Sequence, residues 1–473
     1  MRWTHCLFTG ALMGVTATAS AETIRIGIGH QSMCTDTYTA GIIVKELGLI
    51  QKHLPTDGRY ENVEYVFDWK DYTSGPPITN MMLSNQLDFG VMGDYPLIVN
   101  GAQFQKTRSL RSLYVAGTGY NVNGSGNAIV VPVESDIYSF EDLKGRDISV
   151  PVGSAAWGML LKALQDAGIG AGEVEIRNQS PPVGAANIAQ GRISAHADFC
   201  PWSEIMEFRG TGRKVFDGSE TGMPYLHGVV VRADYAEKYP EVVVAYAKAI
   251  IEAGDWVRED PLRAATMLEQ WTGVEKEVQY LYFSNGGHLT LEPTIKPEWK
   301  QALGIAHEVL TRERSVPPLD LDAWIDDSYV RRAYQELNRD YEADLAHIHD
   351  PRTANRELPP AELWHPRDGI HSFDSIKAML SQAAEFTASG HKLNATYVYD
   401  QVTGLKLLGT VAFYVRGEDG YLSFLRKPDA ERHAGDHGGR VTTYDAIISD
   451  YMEQIAVRES RESASPGGAL AVR

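Results

Sequence analysis

Three short apolar segments near the start of the chain, 22–29, 63–69 and 87–92, are each followed by a helical pattern, all before residue 105. This alternation is the strongest constraint in the sequence, because parallel strands must be joined by a long crossover, usually a helix. It predicts a parallel α/β layer. The third repeat says most about purpose. Met81-Met82-Leu83 closes a helix, Asn85-Gln86 turns, Leu87 to Met92 reads as a buried strand, and Gly93-Asp94-Tyr95-Pro96 opens the next helix. The NH groups of that helix are thereby delivered to the C-terminal edge of the sheet, where open α/β folds bind ligands.

The order then restarts. Segments 111–117 and 128–133 read as strands around a glycine-rich turn, Gly117-Thr118-Gly119-Tyr120, and 147–151 is a further strand. Gly153-Ser154-Ala155-Ala156-Trp157 leads a helix through Ala167, followed by a strand at 174–178, a helix at 182–190 and a strand at 193–200. A second α/β lobe is the simplest account, with a return to the first lobe at 229–232. Lobe I is expected at 22–118 plus 228–345 and lobe II at 119–227. From Pro240 onward the pattern is helical only, with stripes across 240–253, 261–271, 296–312 and 321–341 that read as core-facing. The polar, proline-bearing stretch 346–360 reads as a linker. A compact unit follows at 361–456, and the small polar residues 457–473 are expected to be a disordered tail.

A formal net charge of -18 over 473 residues argues against nucleic acid or an anionic membrane as the main partner. It leaves room for a small anion, since helix N-termini make local positive sites. Arg2, the apolar run 6–15 and Ala19-Ser20-Ala21 read as an export signal cleaved after Ala21, which predicts a periplasmic mature chain. Two cysteines then remain, Cys34 and Cys200. Two cannot staple a chain this long. They form one bridge, stay as free thiols, or share a ligand.

Several motifs occur in a telling order: Leu83 to Pro96, Val152 to Trp157 with Leu160-Leu161-Lys162-Ala163-Leu164, Gln179-Ser180-Pro181-Pro182, and Arg232-Ala233-Asp234-Tyr235 through Val243. With them, residues 22–345 resemble the periplasmic substrate-binding proteins of ABC importers for taurine, aliphatic sulfonates and nitrate. The resemblance implies a two-lobe periplasmic binding fold of type II, with a hinge, that closes on a small ligand without chemistry and docks on a membrane permease. It implies ligand contacts from Gln31, Ser32, Ser74, Gly93 and Asp94 in lobe I, and from Ser154, Ala155, Trp157 and Trp202 in lobe II. Cys34 and Cys200 lie at neighbouring strand ends and join that set.

Here the sequence departs from the resemblance. His30, Met33 and Cys34 follow the first strand, Cys200 ends a strand of lobe II, and His227 comes later. They are separately packed residues, a soft site for copper(I) or a sulfur-containing ligand, or the ends of a Cys34 to Cys200 disulfide. No cofactor is required; copper is the metal these groups would favour.

The terminal unit carries His371-Ser372-Phe373-Asp374-Ser375, Thr403-Gly404, Ala412 to Gly417, and His437-Gly438-Gly439-Arg440-Val441 with Tyr444-Asp445. With these it resembles the NosL copper-chaperone family, a small α+β fold. The Cys-Gly-Met motif that holds copper in that family is absent, and Glu418-Asp419-Gly420 replaces its later methionine loop. The resemblance therefore implies a ββαβ fold more than copper binding, though His365, His371, His433 and His437 are candidate ligands. Three readings follow: a solute receptor for a sulfonate, nitrate or thiocyanate-like ligand, a copper-binding or copper-delivery protein, or an enzyme like the thiamine-pathway pyrimidine synthase that shares the two-lobe fold. No Ser-His-Asp order, phosphate loop or HExxH supports catalysis, so a non-enzyme is expected.

Overall fold

A computed structural model describes residues 22–107, 110–170, 172–312, 316–350 and 358–464. The expected export signal lies outside the described residues, as do parts of the linker and of the tail. The chain begins with β1 (Thr23–His30), short helices α1 (Ile42–Glu46) and α2 (Leu49–His53), and β2 (Glu64–Asp71). Next come α3 (Gly75–Leu83), β3 (Phe89–Gly93), α4 (Asp94–Lys106) and β4 (Ser112–Asn121). Lobe II contains β5 (Asn127–Pro132), β6 (Asp147–Val150), α5 (Ala155–Asp166), β7 (Glu175–Asn178), α6 (Pro181–Ala189), β8 (Ala195–Phe199), α7 (Trp202–Phe208) and β9 (Gly212–Asp217). The chain then returns to lobe I as β10 (Tyr225–Arg232).

The two sheets have the same plan. Strand order is β2-β1-β3-β10-β4 in one and β7-β6-β8-β5-β9 in the other. In each, four strands run in one direction and one inserted strand, β10 or β5, runs antiparallel to both its neighbours. Helices cover both faces, which is why the strands read as nearly continuous apolar runs. The lobes are joined by two crossings, 122–126 and 218–224. At Gly124, whose φ is +95°, a Cβ would sit 2.2 Å from the Met223 carbonyl oxygen. Only glycine fits where the two crossings touch.

Several sequence expectations need correction. Gly117 to Tyr120 is not a turn but part of β4; its NH groups at Gly117 and Tyr120 donate to the carbonyls of Pro293 and Thr290 at 2.9 Å. Glycine is needed there because a Cβ on Gly117 would meet the Glu292 carbonyl oxygen at 3.1 Å. The helix expected across 38–50 is split at Gly48, which is left-handed at φ +63°. Strand β9 is an addition to the expected elements: all six residues are buried, and its Arg213, Lys214 and Asp217 break any apolar run that would mark it.

Helices α8 (Ala233–Lys238), α9 (Pro240–Glu259), α10 (Pro261–Thr272), α11 (Lys276–Phe283) and α12 (Pro297–Arg312) pack on the lobes. The single helix expected across 321–341 is three: α13 (Leu321–Trp324), α14 (Ser328–Glu336) and α15 (Tyr341–Leu345).

The terminal unit contains β11 (Ala361–His365), β12 (Gly369–Phe373), α16 (Ile376–Ala388), β13 (Ala395–Tyr399) and β14 (Lys406–Leu408). It continues with β15 (Phe413–Arg416), β16 (Tyr421–Phe424), α17 (Lys427–His437), β17 (Arg440–Thr443) and α18 (Tyr444–Ala464). This is a ββαβ order used twice, with sheets β12-β11-β13-β14 and β16-β15-β17. The sequence echoes the repeat: Asp368-Gly369-Ile370-His371-Ser372-Phe373 matches Asp419-Gly420-Tyr421-Leu422-Ser423-Phe424. Helix α18 runs past the expected boundary at 456, so residues 457–464 are helical rather than a disordered tail.

The unit is docked on the two lobes, not tethered beside them. Trp364, Ala395, Tyr397 and Leu408 form one apolar cluster with Ala265, Tyr280 and Leu281. Tyr397 Oη donates to the Glu277 carbonyl at 2.9 Å, and Lys406 Nζ, fully buried, donates to Ser284 Oγ at 2.8 Å and pairs with Glu362. Arg426 reaches Glu220 on the second crossing at 2.5 Å. Removing one partner of a buried pair leaves the other charge uncompensated. Lys406→Ala is therefore expected to destabilise the chain by about 3–5 kcal/mol, read as a lower denaturant midpoint.

Candidate functional site

The facing ends of the two lobes carry small residues, and this sets how closely they approach. Gly93 precedes α4 and Ala155 begins α5; a Cβ on Gly93 would lie 3.4 Å from the Ala155 Cβ. Gly153 would meet the Pro76 ring at 3.1 Å, and Gly158 on α5 lies directly against the Tyr95 ring of α4. Two helix N-termini therefore converge on one buried spot between the lobes, a geometry suited to negative charge.

Around that spot the chain gathers three donors. Cys34 sits in the loop after β1, which is pinned by Thr37 Oγ1 donating to the carbonyls of Gln31 (3.0 Å) and Cys34 (2.8 Å) and by Thr118 Oγ1 donating to that of Asp36 (2.6 Å). Cys200 follows β8 of lobe II. His227 lies on β10 between Gly93 and Gly119, and the register shifts just after it, so two glycine neighbours leave room for its ring. The thiol sulfurs are 3.2 Å apart and Cys34 Sγ is 3.6 Å from His227 Nε2. Behind the ring, Asp36 Oδ2 is 3.3 Å from Nδ1, a contact not aligned as a hydrogen bond. Tyr225 flanks the group, with its ring 4.3 Å from that of His227 and its hydroxyl 3.8 Å from Cys200 Sγ.

Burial dominates the electrostatics. It lowers the His227 imidazole to about 3 and pushes the carboxyls of Asp36 and Asp94 up to about 7. It also raises the Cys200 thiol, with the neighbouring Cys34 adding to the effect. The cleft is thus poised neutral, and charge is favoured there only with a compensating partner.

The other expected contacts are spread around this centre. Gln31 Nε2 donates to the Val91 carbonyl at 3.2 Å, and Ser32 is held through its NH (2.8 Å) and hydroxyl (2.5 Å) by Asp71. Ser154 Oγ caps α5 by accepting the Trp157 NH at 3.2 Å, and Ser74 caps α3 without a side-chain bond. Trp202 is buried with its Nε1 unpartnered, while Trp157 is half-buried. Two residues of the expected soft set lie elsewhere. His30 packs edge-on against Trp69 at 5.6 Å, and Met33 packs on the apolar core; the group that converges is Cys34, Cys200 and His227. Asp36 and Tyr225 were missed, although a carboxylate two residues from Cys34 was the available signal.

A hydrogen-bonded chain Ser149–His196–Asp198 also exists in lobe II, at 2.7 and 2.8 Å. It is sealed: all three side chains are fully buried, and Gly184 of α6 lies flat on the imidazole, where a Cβ would be 2.0 Å away. No substrate reaches it. A cavity of about 530 Å³ lies away from the cleft, between α9, the 283–293 segment and Tyr334.

These features define a two-lobe binding protein. The sequence profile of the NMT1-like family matches residues 19–269, and the chain belongs to that family. It is 35% identical over 190 residues to the taurine-binding periplasmic protein of Escherichia coli, a stretch covering 39% of this chain and 56% of that protein's length. Among solved structures, the alkanesulfonate-binding protein of Xanthomonas axonopodis pv. citri bound to MOPS superposes with TM-score 0.54 at 21% identity, covering 65% of this chain and 99% of that one. The periplasmic nitrate-binding protein of Synechocystis PCC 6803 gives TM-score 0.50 at 16% identity, covering 70% and 92%. At such identities the structures speak for the fold alone. No helix among the described residues is long and apolar enough to cross a membrane.

Gly158→Ala is expected to hold the lobes apart rather than unfold them, because parting relieves the contact with Tyr95. Overpacking of about 1–3 kcal/mol shifts closure by roughly 5- to 150-fold, seen as a larger radius of gyration with little change in melting temperature. For Asp94, the folded carboxyl keeps its proton up to about 7 while the unfolded one releases it near 3.8. Its stabilising contribution is complete below the unfolded value and is lost as pH rises through 7. The stability of Asp94→Asn relative to the parent protein should therefore rise between pH 4 and 7 by on the order of 4 kcal/mol, measured by denaturant unfolding.

Proposed function

We propose that this protein is the periplasmic solute-binding component of an ABC importer, which captures a small anionic or sulfur- or nitrogen-containing ligand between its lobes and presents it to a membrane permease. The observation that carries this reading is the convergence of the α4 and α5 N-termini at Gly93 and Ala155 between two lobes of matched topology. Membership of the NMT1-like family and similarity to a taurine-binding periplasmic protein support it. The same similarity supports a periplasmic location, to which the leader read at 1–21 would direct the chain. No reaction is assigned to the cleft.

In this reading the receptor occupies 22–345, but the lobe boundaries expected at 118/119 and 227/228 move to the crossings 122–126 and 218–224, because β4 runs to Asn121 and β10 starts at Tyr225 within the lobe I sheet; 346–360 links it to the terminal unit, whose last helix runs to 464. The duplicated ββαβ order supports the NosL-like reading of that unit. Its histidines form two separate groups, His365 with His371 and His391, and His433 stacked on His437 at 4.5 Å. With no Cys-Gly-Met motif, its role here is docking rather than copper transfer.

A melting-temperature screen with taurine, longer aliphatic sulfonates, nitrate and thiocyanate tests the reading, since a ligand at 100 times its Kd stabilises by about 2.7 kcal/mol. At least one of these anions should raise the melting temperature, and the rise should be smaller in Gly158→Ala. A flat response across the panel removes the case for an anion receptor.

A further inference from the structure

Two thiols and an imidazole from both lobes meet at the centre of the cleft. Their ligand atoms, Cys34 Sγ, Cys200 Sγ and His227 Nε2, all lie within 4.8 Å of one another, and the residues are 1%, 0% and 2% exposed. Among the described residues this is the one such group of three histidine, cysteine or acidic ligands. Cys34 and His227 belong to lobe I and Cys200 to lobe II, so the set is complete only when the lobes are together. We propose that Cys34, Cys200 and His227 form a three-coordinate copper(I) site that the two lobes complete by closing. The inference rests on the reading of a closing two-lobe receptor and names what this cleft closes on.

Two thiolates and an imidazole suit copper(I) and zinc(II) alike, and the number of donors separates the two. An ion bonded at about 2.0–2.3 Å to nitrogen and sulfur holds its donors roughly 3.5–4 Å apart, close to the 3.2 and 3.6 Å found here. Zinc would require a fourth ligand or a water. The neighbouring groups are a phenol at Tyr225 and a carboxyl at Asp36, which lies beside the far ring nitrogen, Nδ1, and also meets the Cys200 thiol. Metal at Nε2 puts the ring proton on Nδ1, and a turn that aligns it with this carboxyl, 3.3 Å away, would orient the metal-bound histidine.

Charge balance gives the helix ends a role. Binding copper(I) displaces one proton from each thiol, so a +1 ion with two thiolates and a neutral imidazole makes a centre of charge -1 and releases two protons. Gly93, the residue before α4, lies so close that a Cβ there would be 3.2 Å from His227 Nε2, and Ala155 of α5 adjoins it. The helix N-termini that would meet an oxyanion in a sulfonate receptor here meet the anionic copper dithiolate. The metal then ties β1, β8 and β10 across the cleft.

The test uses the full mature chain, reduced, titrated with copper(I) against a chromophoric copper(I) chelator and weighed by native mass spectrometry. One copper per chain is expected, with a smaller radius of gyration on loading. Cys34→Ser and Cys200→Ser should each weaken binding more than about 100-fold, since each removes a soft donor, and Asp36→Asn by about 10-fold through the histidine it orients. The melting temperature of each metal-free variant shows that it has folded. A His365→Ala/His371→Ala/His391→Ala triple variant should bind as the parent does. Undiminished copper(I) binding by the double serine variant, preference for zinc(II), or a Cys34 to Cys200 disulfide that survives millimolar thiol overturns the proposal. Copper bound with no change in radius of gyration overturns the closure it is said to drive. A melting shift with sulfonate but no copper uptake overturns the metal site and leaves the receptor reading standing; a response to neither removes both.

Discussion

The two chain crossings between the lobes are the contact on which the remaining architecture depends. Gly124 and Gly218 pass so closely that a Cβ on Gly218 would lie 2.2 Å from the Gly124 carbonyl oxygen, and one on Gly124 2.2 Å from that of Met223 and 2.8 Å from that of Gly218. The Asn121 side-chain oxygen accepts the NH groups of residues 123, 124 and 125, and Ser125 Oγ donates to Asp217 at 2.7 Å. Backbone groups at a bend are thereby satisfied without regular structure. The second crossing then feeds β10 between β3 and β4, which sets His227 beside Gly93. The hinge and the site are consequences of one strand insertion.

Desolvation explains the character of the cleft. Closely facing small residues exclude water, and the buried carboxyls of Asp36 and Asp94 and the His227 imidazole respond by staying neutral. A neutral, tightly closed pocket with helix N-termini at its wall resists an isolated charge and accepts one that arrives with partners. This also separates the cleft from the Ser149–His196–Asp198 chain. That group has the residue types of a hydrolase but is packed on all sides, and its hydrogen bonds serve the core of lobe II.

The terminal unit contributes through its docking surface. Its first ββαβ half packs Trp364, Tyr397 and Lys406 onto α10, α11 and the 284–288 turn, while Arg426 in the second half touches Glu220 at the crossing. A buried lysine paired with Glu362 and seated among the Tyr280, Tyr397 and Tyr399 rings is costly to disrupt. The unit therefore spans from the lobe I helices to the hinge.

The fold was largely legible in order: apolar segments alternating with helical stripes identified both parallel layers, because strand and helix periodicity are local properties. Where the reading failed, nonlocal contact had the deciding part. Gly117 and Gly119 look like turn residues, yet they lie within a strand because the 290–293 segment needs bare backbone to pair against. The candidate site divides the same way. Residue type marked Cys34, Cys200 and His227, since thiol and imidazole carry their chemistry with them, and the family resemblance marked Gly93 and Ala155. Only tertiary structure decided that Cys34, Cys200 and His227 converge while His30 turns to Trp69 and Met33 to the core, and that Asp36 stands behind His227. Residues 166 and 193 positions apart, such as Cys34 with Cys200 and with His227, meet only through the closure of two lobes and the insertion of β10, and no local pattern encodes a distance across a cleft.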